Sequence, residues 1–329
     1  MRHIAHWVAG LALVVLGCAG EDDASEPEVG TRVDEVTASA TLLVSADFAA
    51  TSKTKTIVEA ELMQNPAIQL LAVGDMSYTA PYADNDPWAA WASRTYPVMG
   101  NHEFNSVAGK GGQQPFQMFN GNNAAGNHTF PAITSSVGGV DTFDFTYAHE
   151  VTPGWLLVVV NTGVNCRQQA CTTQATQLAS QISAWRASRG GHGCVMVAMH
   201  TARWSTMFSG DADNLPWATG VAPLWSAAVT SKADLVFQGH VHVYEEFKKL
   251  GVDGQTSATG AKLFTVGAGG RGQVKPLSSN IAASQLLDAR AAPVHGVVKL
   301  ALYPGAYGYR FETAATASTP AASVACNVP

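Results

Sequence analysis

Charge is what this chain has least of. Asp, Glu, Lys and Arg together make up 13% of its 329 residues, with 19 bases against 25 acids. Seven of the acids (Glu21, Asp22, Asp23, Glu26, Glu28, Asp34 and Glu35) stand between 21 and 35 beside Arg32 alone. The body from Val36 onward then carries 18 acids and 17 bases. So neutral a body offers no basic face, and nucleic acid is not an expected partner. Cysteines are few, five in all, and their spacing is not that of a zinc site. No Gly-Lys-Ser/Thr follows Gly267-Ala268-Gly269-Gly270, so this stretch is read as a tight turn and not as a phosphate loop. Internal repeats are lacking, and nothing marks a second domain. The apolar run near the start, Val8 to Leu16, is too short to span a bilayer.

Apolar residues, in contrast, reach 47%, enough for the core of one large domain. Arg2 and the run Val8–Leu16 read as an export signal over residues 1–17. Val15-Leu16-Gly17-Cys18 resembles a bacterial lipoprotein cleavage site, with a plain secretory signal as the alternative. On the first reading Cys18 becomes a lipidated first residue, and that lipid is the chain's contact with a membrane. The expected location is outside the cytoplasm, periplasmic or at the cell surface, anchored to a bacterial outer membrane. Residues 18–38 are acidic and small and read as a flexible tether. The folded domain is expected over 39–315, with a tail at 316–329. Four cysteines remain: Cys166, Cys171, Cys194 and Cys326. They pair as Cys166–Cys171 and Cys194–Cys326, as export would favour, or stay as four free thiols.

Five short apolar runs each stop at a polar donor. Thr41–Ala46 meets Asp47, Leu70–Val73 meets Gly74-Asp75, and Tyr96–Met99 meets Gly100-Asn101-His102-Glu103. Cys194–Met199 meets His200, and Asp234–Phe237 leads to Gly239-His240-Val241-His242. Helical spacing marks 53–65, 172–189 and 223–231, and Asp86-Pro87 opens a short helix. The Gly/Asn-rich stretch 105–140 reads as surface loop, and 142–147 with 155–160 as a hairpin. Strands are also expected at 263–267, 297–303 and 307–311. Strands alternating with helices, with donors at the strand ends, imply helices packed on sheets and a site at the carboxyl edge.

Collected, the donors are Asp47, Asp75, Asn101, His200, His240 and His242, with Tyr78 three residues after Asp75. Oxygen and imidazole ligands suit hard or borderline ions. Seven are too many for one ion, and two ions sharing a carboxylate would use them.

These marks, in this order over roughly 41–312, resemble the calcineurin-like metallophosphoesterases. Most of that superfamily has Asp-x-His first, where this chain has Asp47-Phe48-Ala49. Gly74-Asp75-Met76-Ser77-Tyr78 supplies a tyrosine instead, which is similar to the purple acid phosphatase branch. The resemblance implies an α/β (α+β) fold: a four-layer αββα sandwich of two mixed β-sheets flanked by helices. It implies Asp47, Tyr78 and His242 on a ferric ion, and Asn101, His200 and His240 on a divalent ion (Zn2+, Fe2+ or Mn2+), with Asp75 bridging. The implied reaction is hydrolysis of small-molecule phosphate monoesters by a metal-bound hydroxide. His102 is the candidate to hold the phosphoryl oxygens or protonate the leaving alcohol.

The chain also departs from the branch. Plant and animal members carry further histidines about ten residues past the His200 position, where this chain has Ser209 and Gly210, then Asp211 and Asp213. Arg203 is read either as a substitute phosphate contact or as a surface ion-pair partner. Glu103 and Glu245 read as supporting residues, and His128, His149, His192 and His295 as ordinary loop or strand positions. The alternatives are a phosphodiesterase of the same fold and a non-catalytic surface lipoprotein.

Overall fold

The computed structural model describes residues 37–328, except 50–51, 77, 79–86, 106–122, 126–134, 138–139, 143–145, 163–165, 167–169, 210–213, 273–275, 288–293 and 315–322. The export signal, Cys18, the tether up to residue 36, His128 and Gly210–Asp213 lie outside the described residues, as does Asp86.

In chain order the strands are β1 (Ala40–Ser45), β2 (Gln69–Ala72), β3 (Thr95–Pro97), β4 (Ser135–Val137), β5 (Val140–Thr142), β6 (Tyr147–Thr152), β7 (Trp155–Val160) and β8 (Cys194–Met199). Then come β9 (Phe208–Ser209), β10 (Leu235–Gln238), β11 (Tyr244–Leu250), β12 (Ala261–Val266), β13 (Pro276–Ser278), β14 (Val297–Tyr303), β15 (Ala306–Glu312) and β16 (Val324–Ala325). Twelve of them build two six-stranded sheets, ordered β16-β15-β14-β1-β2-β3 and β11-β12-β10-β8-β7-β6. Both are mixed. In the first, β1, β2 and β3 run parallel while β14 is antiparallel to β1. In the second, β7, β8, β10 and β12 run parallel, with β6 and β11 antiparallel at the edges.

The solid apolar runs follow from burial on both faces. Along β7 and β8, Trp155, Leu157, Val159, Met196 and Ala198 join a core shared with Leu43, Leu71 and Val98 of the first sheet. The intervening Val158, Val160, Val197 and Met199 pack with Leu178 and Ile182 of helix Ala170–Ala187 and with Leu224 and Trp225 of helix Ala222–Thr230. Helix Lys53–Gln64 lays Val58 and Leu62 against the first sheet's side of the core. Its start is set by Ser52, whose Oγ accepts the Lys55 N–H at 3.0 Å. Helix, sheet, sheet and helix make the expected αββα layers.

The loops beyond the carboxyl ends join the two sheets at one edge. The Ala46 N–H donates to Val266 O (2.9 Å), the Gly269 N–H donates to Ala46 O (2.8 Å), and Phe48 forms a bridge with Gly270. The Gly-rich 267–270 stretch is therefore a close-packed turn.

Some elements differ from expectation. Of the strand read at 142–147, residues 143–145 lie outside the described residues, Thr142 ends β5 and Tyr147 opens β6, which runs on to Thr152 opposite Trp155. Within 105–140, β4 and β5 pair as a small ribbon. A strand was not expected at Tyr244–Leu250, where β11 closes the second sheet. The C-terminal tail contributes β16 and a disulfide, Cys194–Cys326, and Cys166 is bonded to Cys171.

Candidate metal centre

Each donor stands just past a strand, and the backbone there is unusual. Among the described residues four non-glycines have positive φ: Asp47 (61°), Asp75 (49°), His240 (68°) and Lys232 (59°). Three of the four are candidate ligands. A left-handed conformation costs a non-glycine residue roughly 1–3 kcal/mol and persists where its surroundings impose it. The glycines preceding these donors make the close approach possible. A Cβ on Gly74 would stand 2.4 Å from His200 Nδ1, and one on Gly100 would stand 2.2 Å from Asp75 Oδ1.

The donors gather in two groups around Asp75. In the first, Tyr78 Oη donates to Asp47 Oδ1 at 2.8 Å and lies 3.0 Å from His242 Nε2, which is 3.5 Å from the same carboxylate oxygen. In the second, Asn101 Oδ1 lies 3.1 Å from His200 Nε2 and 2.9 Å from His240 Nδ1. Asp75 Oδ1 is 3.4 Å from His200 Nε2, and the Asp75 charge also acts on the Tyr78 phenol. One atom each of Asp75, His200 and His240 lie within 4.8 Å of one another.

Hydrogen bonds behind the imidazoles settle their tautomers. His200 Nδ1–H donates to Val73 O (2.9 Å), and His242 Nδ1–H donates to Gly272 O (3.0 Å). That directs each Nε2 at the oxygen atoms of its group, where a bound cation would sit. The same contacts govern titration. Burial opposes charge on Asp75, yet the imidazoles of His200 and His102 hold its carboxyl below the usual carboxylate range. Burial likewise opposes charge on His200, but Asp75 outweighs it and lifts the imidazole to about 10. Burial, then His200, pushes His240 down to about 4. Burial, then Asp47 and Asp75, pushes the Tyr78 phenol far above its ordinary value. Both carboxylates are buried, and among the described residues neither forms an ion pair with a lysine or arginine. Buried acids faced by imidazoles alone are costly, and an oxygen- and imidazole-rich set of this kind fits metal ions.

Glu103 braces the ligand loops. Its buried carboxylate accepts the N–H groups of Asp75 (2.8 Å), Met76 (2.8 Å) and Gly100 (2.6 Å). Glu245 is placed away from the donors, accepting from Ser205 Oγ, from the N–H and hydroxyl of Thr206, and from Thr265 Oγ1. His102 is half-buried, with its ring centroid 4.2 Å from that of Tyr78 and its backbone N–H donating to Asp75 Oδ1 (2.8 Å). Arg203 is not brought to the donors. Its guanidinium lies 3.8 Å over the Trp204 ring with Nη1 on Ala218 O, and among the described residues no carboxylate pairs with it.

Two neighbours were not picked out in the sequence. Trp217 stacks on His240 at 5.2 Å, and the Arg271 guanidinium lies 4.3 Å over the Tyr78 ring. The one signal for Arg271 was a lone base inside the Gly-rich turn. A separate cluster, Cys194, Asp234 and Cys326, has both sulfurs in a disulfide and offers no thiolate.

No curated protein matches the chain. Among solved structures, a purple acid phosphatase isolated from yellow lupin (Lupinus luteus) seeds is similar, with a TM-score of 0.58 at 16% identity over 84% of this chain and 52% of that one. GAP50, the anchor in the inner membrane complex of Plasmodium, is similar with a TM-score of 0.54 at 15% identity, over 89% of this chain and 90% of that one. The chain thus spans about half the length of the lupin enzyme. Likeness at these identities shows a shared fold. The family model for calcineurin-like phosphoesterases matches residues 45–244, a span that contains all seven donors. The chain belongs to the calcineurin-like phosphoesterases.

Proposed function

We propose that this chain is an exported metal-dependent phosphoesterase that hydrolyses phosphate monoesters at a dinuclear centre of the purple acid phosphatase kind. The observation that carries the reading is the gathering of seven donors in two groups, Asp47, Tyr78 and His242 in one and Asn101, His200 and His240 with Asp75 in the other, so that a phenol stands in one and an amide in the other. Asp47, Tyr78 and His242 would hold a ferric ion, since a phenolate with a carboxylate suits a trivalent cation. Asn101, His200 and His240 would hold the divalent ion, and Asp75 would serve both. When bound, such a pair supplies an activated water and positive charge for the phosphoryl group.

The rest is the work of the chain's own side chains. Val73 O and Gly272 O hold the Nδ1–H groups of His200 and His242, so that Nε2 would be the atom each turns to a bound ion. Glu103 holds the turn that carries Asp75. His102, half-buried beside Tyr78, would bond a phosphoryl oxygen or give a proton to the leaving alcohol. Export rests on the N-terminal signal and the two disulfides. Lipid attachment at Cys18 belongs to the same reading, and palmitate labelling that Cys18→Ser abolishes would test it.

The deciding experiment compares a chromogenic phosphomonoester with its matching diester on metal-loaded and chelator-treated protein. Metal-dependent turnover favouring the monoester supports the proposal, and a preference for the diester replaces it with a phosphodiesterase. Two bound metals with no turnover of either ester would leave the chain a binding protein built on a phosphoesterase fold.

A further inference from the structure

We infer that Arg271 anchors the phosphate of the substrate and sets a preference for monoesters over diesters, an inference that rests on the phosphoesterase reading above. Arg271 lies in the turn after β12, and donor residues hold that turn at two points. Its own N–H donates to Asp47 O (3.1 Å), and the next carbonyl, Gly272 O, accepts from His242 Nδ1 (3.0 Å). The preceding Gly270 is bridged to Phe48. The guanidinium is thus fixed relative to the centre without being consumed by it. It lies over the Tyr78 ring, Cζ 4.3 Å from the centroid, and the same ring packs against His102.

The residue is exposed, and among the described residues no carboxylate pairs with it. Its N–H fork therefore stays free to meet an anion at the mouth. Stacking on an aromatic ring holds the guanidinium plane in a defined orientation. A planar fork bonds two phosphate oxygens at once. Ser209 and Gly210 stand where relatives of the resembled branch carry histidines, and Arg203 is turned onto Trp204. Arg271 is left as the basic side chain touching a candidate ligand among the described residues. A monoester offers three non-bridging oxygens and about two negative charges. A diester offers two such oxygens and one charge, so a cation at this point discriminates between them.

The test uses metal-loaded full-length protein and three forms: wild type, Arg271→Ala and Arg271→Lys. Inorganic phosphate binding is read by titration calorimetry, beside metal content and kcat and KM for an aryl monoester and its diester. Arg271→Ala is expected to weaken phosphate binding about 10- to 100-fold, as loss of a charged hydrogen-bonding partner does. It should raise KM for the monoester, with a smaller loss on the diester and both metals retained. Arg271→Lys should fall between. Phosphate binding unchanged in Arg271→Ala, equal losses on both esters, or loss of metal would each overturn the assignment. Wild-type protein that neither binds phosphate nor turns over either ester would sink the phosphoesterase reading and this inference together. A working wild type beside an unaltered Ala variant would sink this inference alone.

Discussion

At the residue scale, the centre is an arrangement of acceptors waiting for charge. Tyr78 shows it best, because burial and two carboxylates keep its proton on unless a cation displaces it. Tyrosinate on ferric iron absorbs visible light, so the iron-loaded chain should be coloured and Tyr78→Phe colourless. A coloured Tyr78→Phe protein, or a colourless and active wild type, would remove the ferric assignment. Glu103 makes a different kind of contribution. Its carboxylate takes three backbone N–H groups out of the interior, and Glu103→Ala would strand all three. An unsatisfied buried donor costs roughly 1–3 kcal/mol, so the variant should lose at least that much in urea unfolding. It should also bind metal more weakly, since the Asp75 turn loses its brace, and metal content after dialysis reads that effect separately.

At the element scale, the outcome depends on how a strand meets its neighbours. Strands covered on both faces, such as β7 and β8, read as solid apolar runs, and each run stops where the chain leaves the sheet. Five such stops, at Asp47, Asp75, Asn101, His200 and His240, carry candidate donors, which is why the layers were legible in the sequence, while Tyr78 was legible only through the family resemblance. β11 was not, because Tyr244–Leu250 lies at a sheet edge and carries Glu245, Glu246, Lys248 and Lys249. Charges are common on an edge strand, and here Glu245 is itself buried, so they hide the period of the strand. β16 is two residues long and has no period to read. Arg271 was missed for a related reason, since one exposed base acquires meaning only from what it stacks on. The disulfide Cys194–Cys326 ties β8 to the segment holding β16 across a separation of 132 residues. Removing both sulfurs by Cys194→Ser with Cys326→Ser should cost roughly 3–5 kcal/mol by the chain-entropy argument. Equilibrium unfolding with and without reductant would check it, and an unchanged midpoint would show that the cross-link adds nothing.

At the scale of the whole molecule, each group of donors draws on both sheets. Asp47 and Tyr78 follow strands of the first sheet and His242 follows β10 of the second. Asn101 follows β3, while His200 and His240 follow β8 and β10. Ions bound there would join the two layers, and a ligand at 100 times its dissociation constant stabilises by about 2.7 kcal/mol per site. Chelation should therefore lower the thermal midpoint, and adding metal back should restore it. An identical midpoint with and without metal would mean that the donors are not bridged by ions. The left-handed backbone at Asp47, Asp75 and His240 sharpens the consequence. Main chain that must be held in an uncommon shape at three points tolerates little sliding of one layer over the other. At that edge His102 and Arg271 both lie against the Tyr78 ring, so a change at this one phenol would be felt by the imidazole and the guanidinium together.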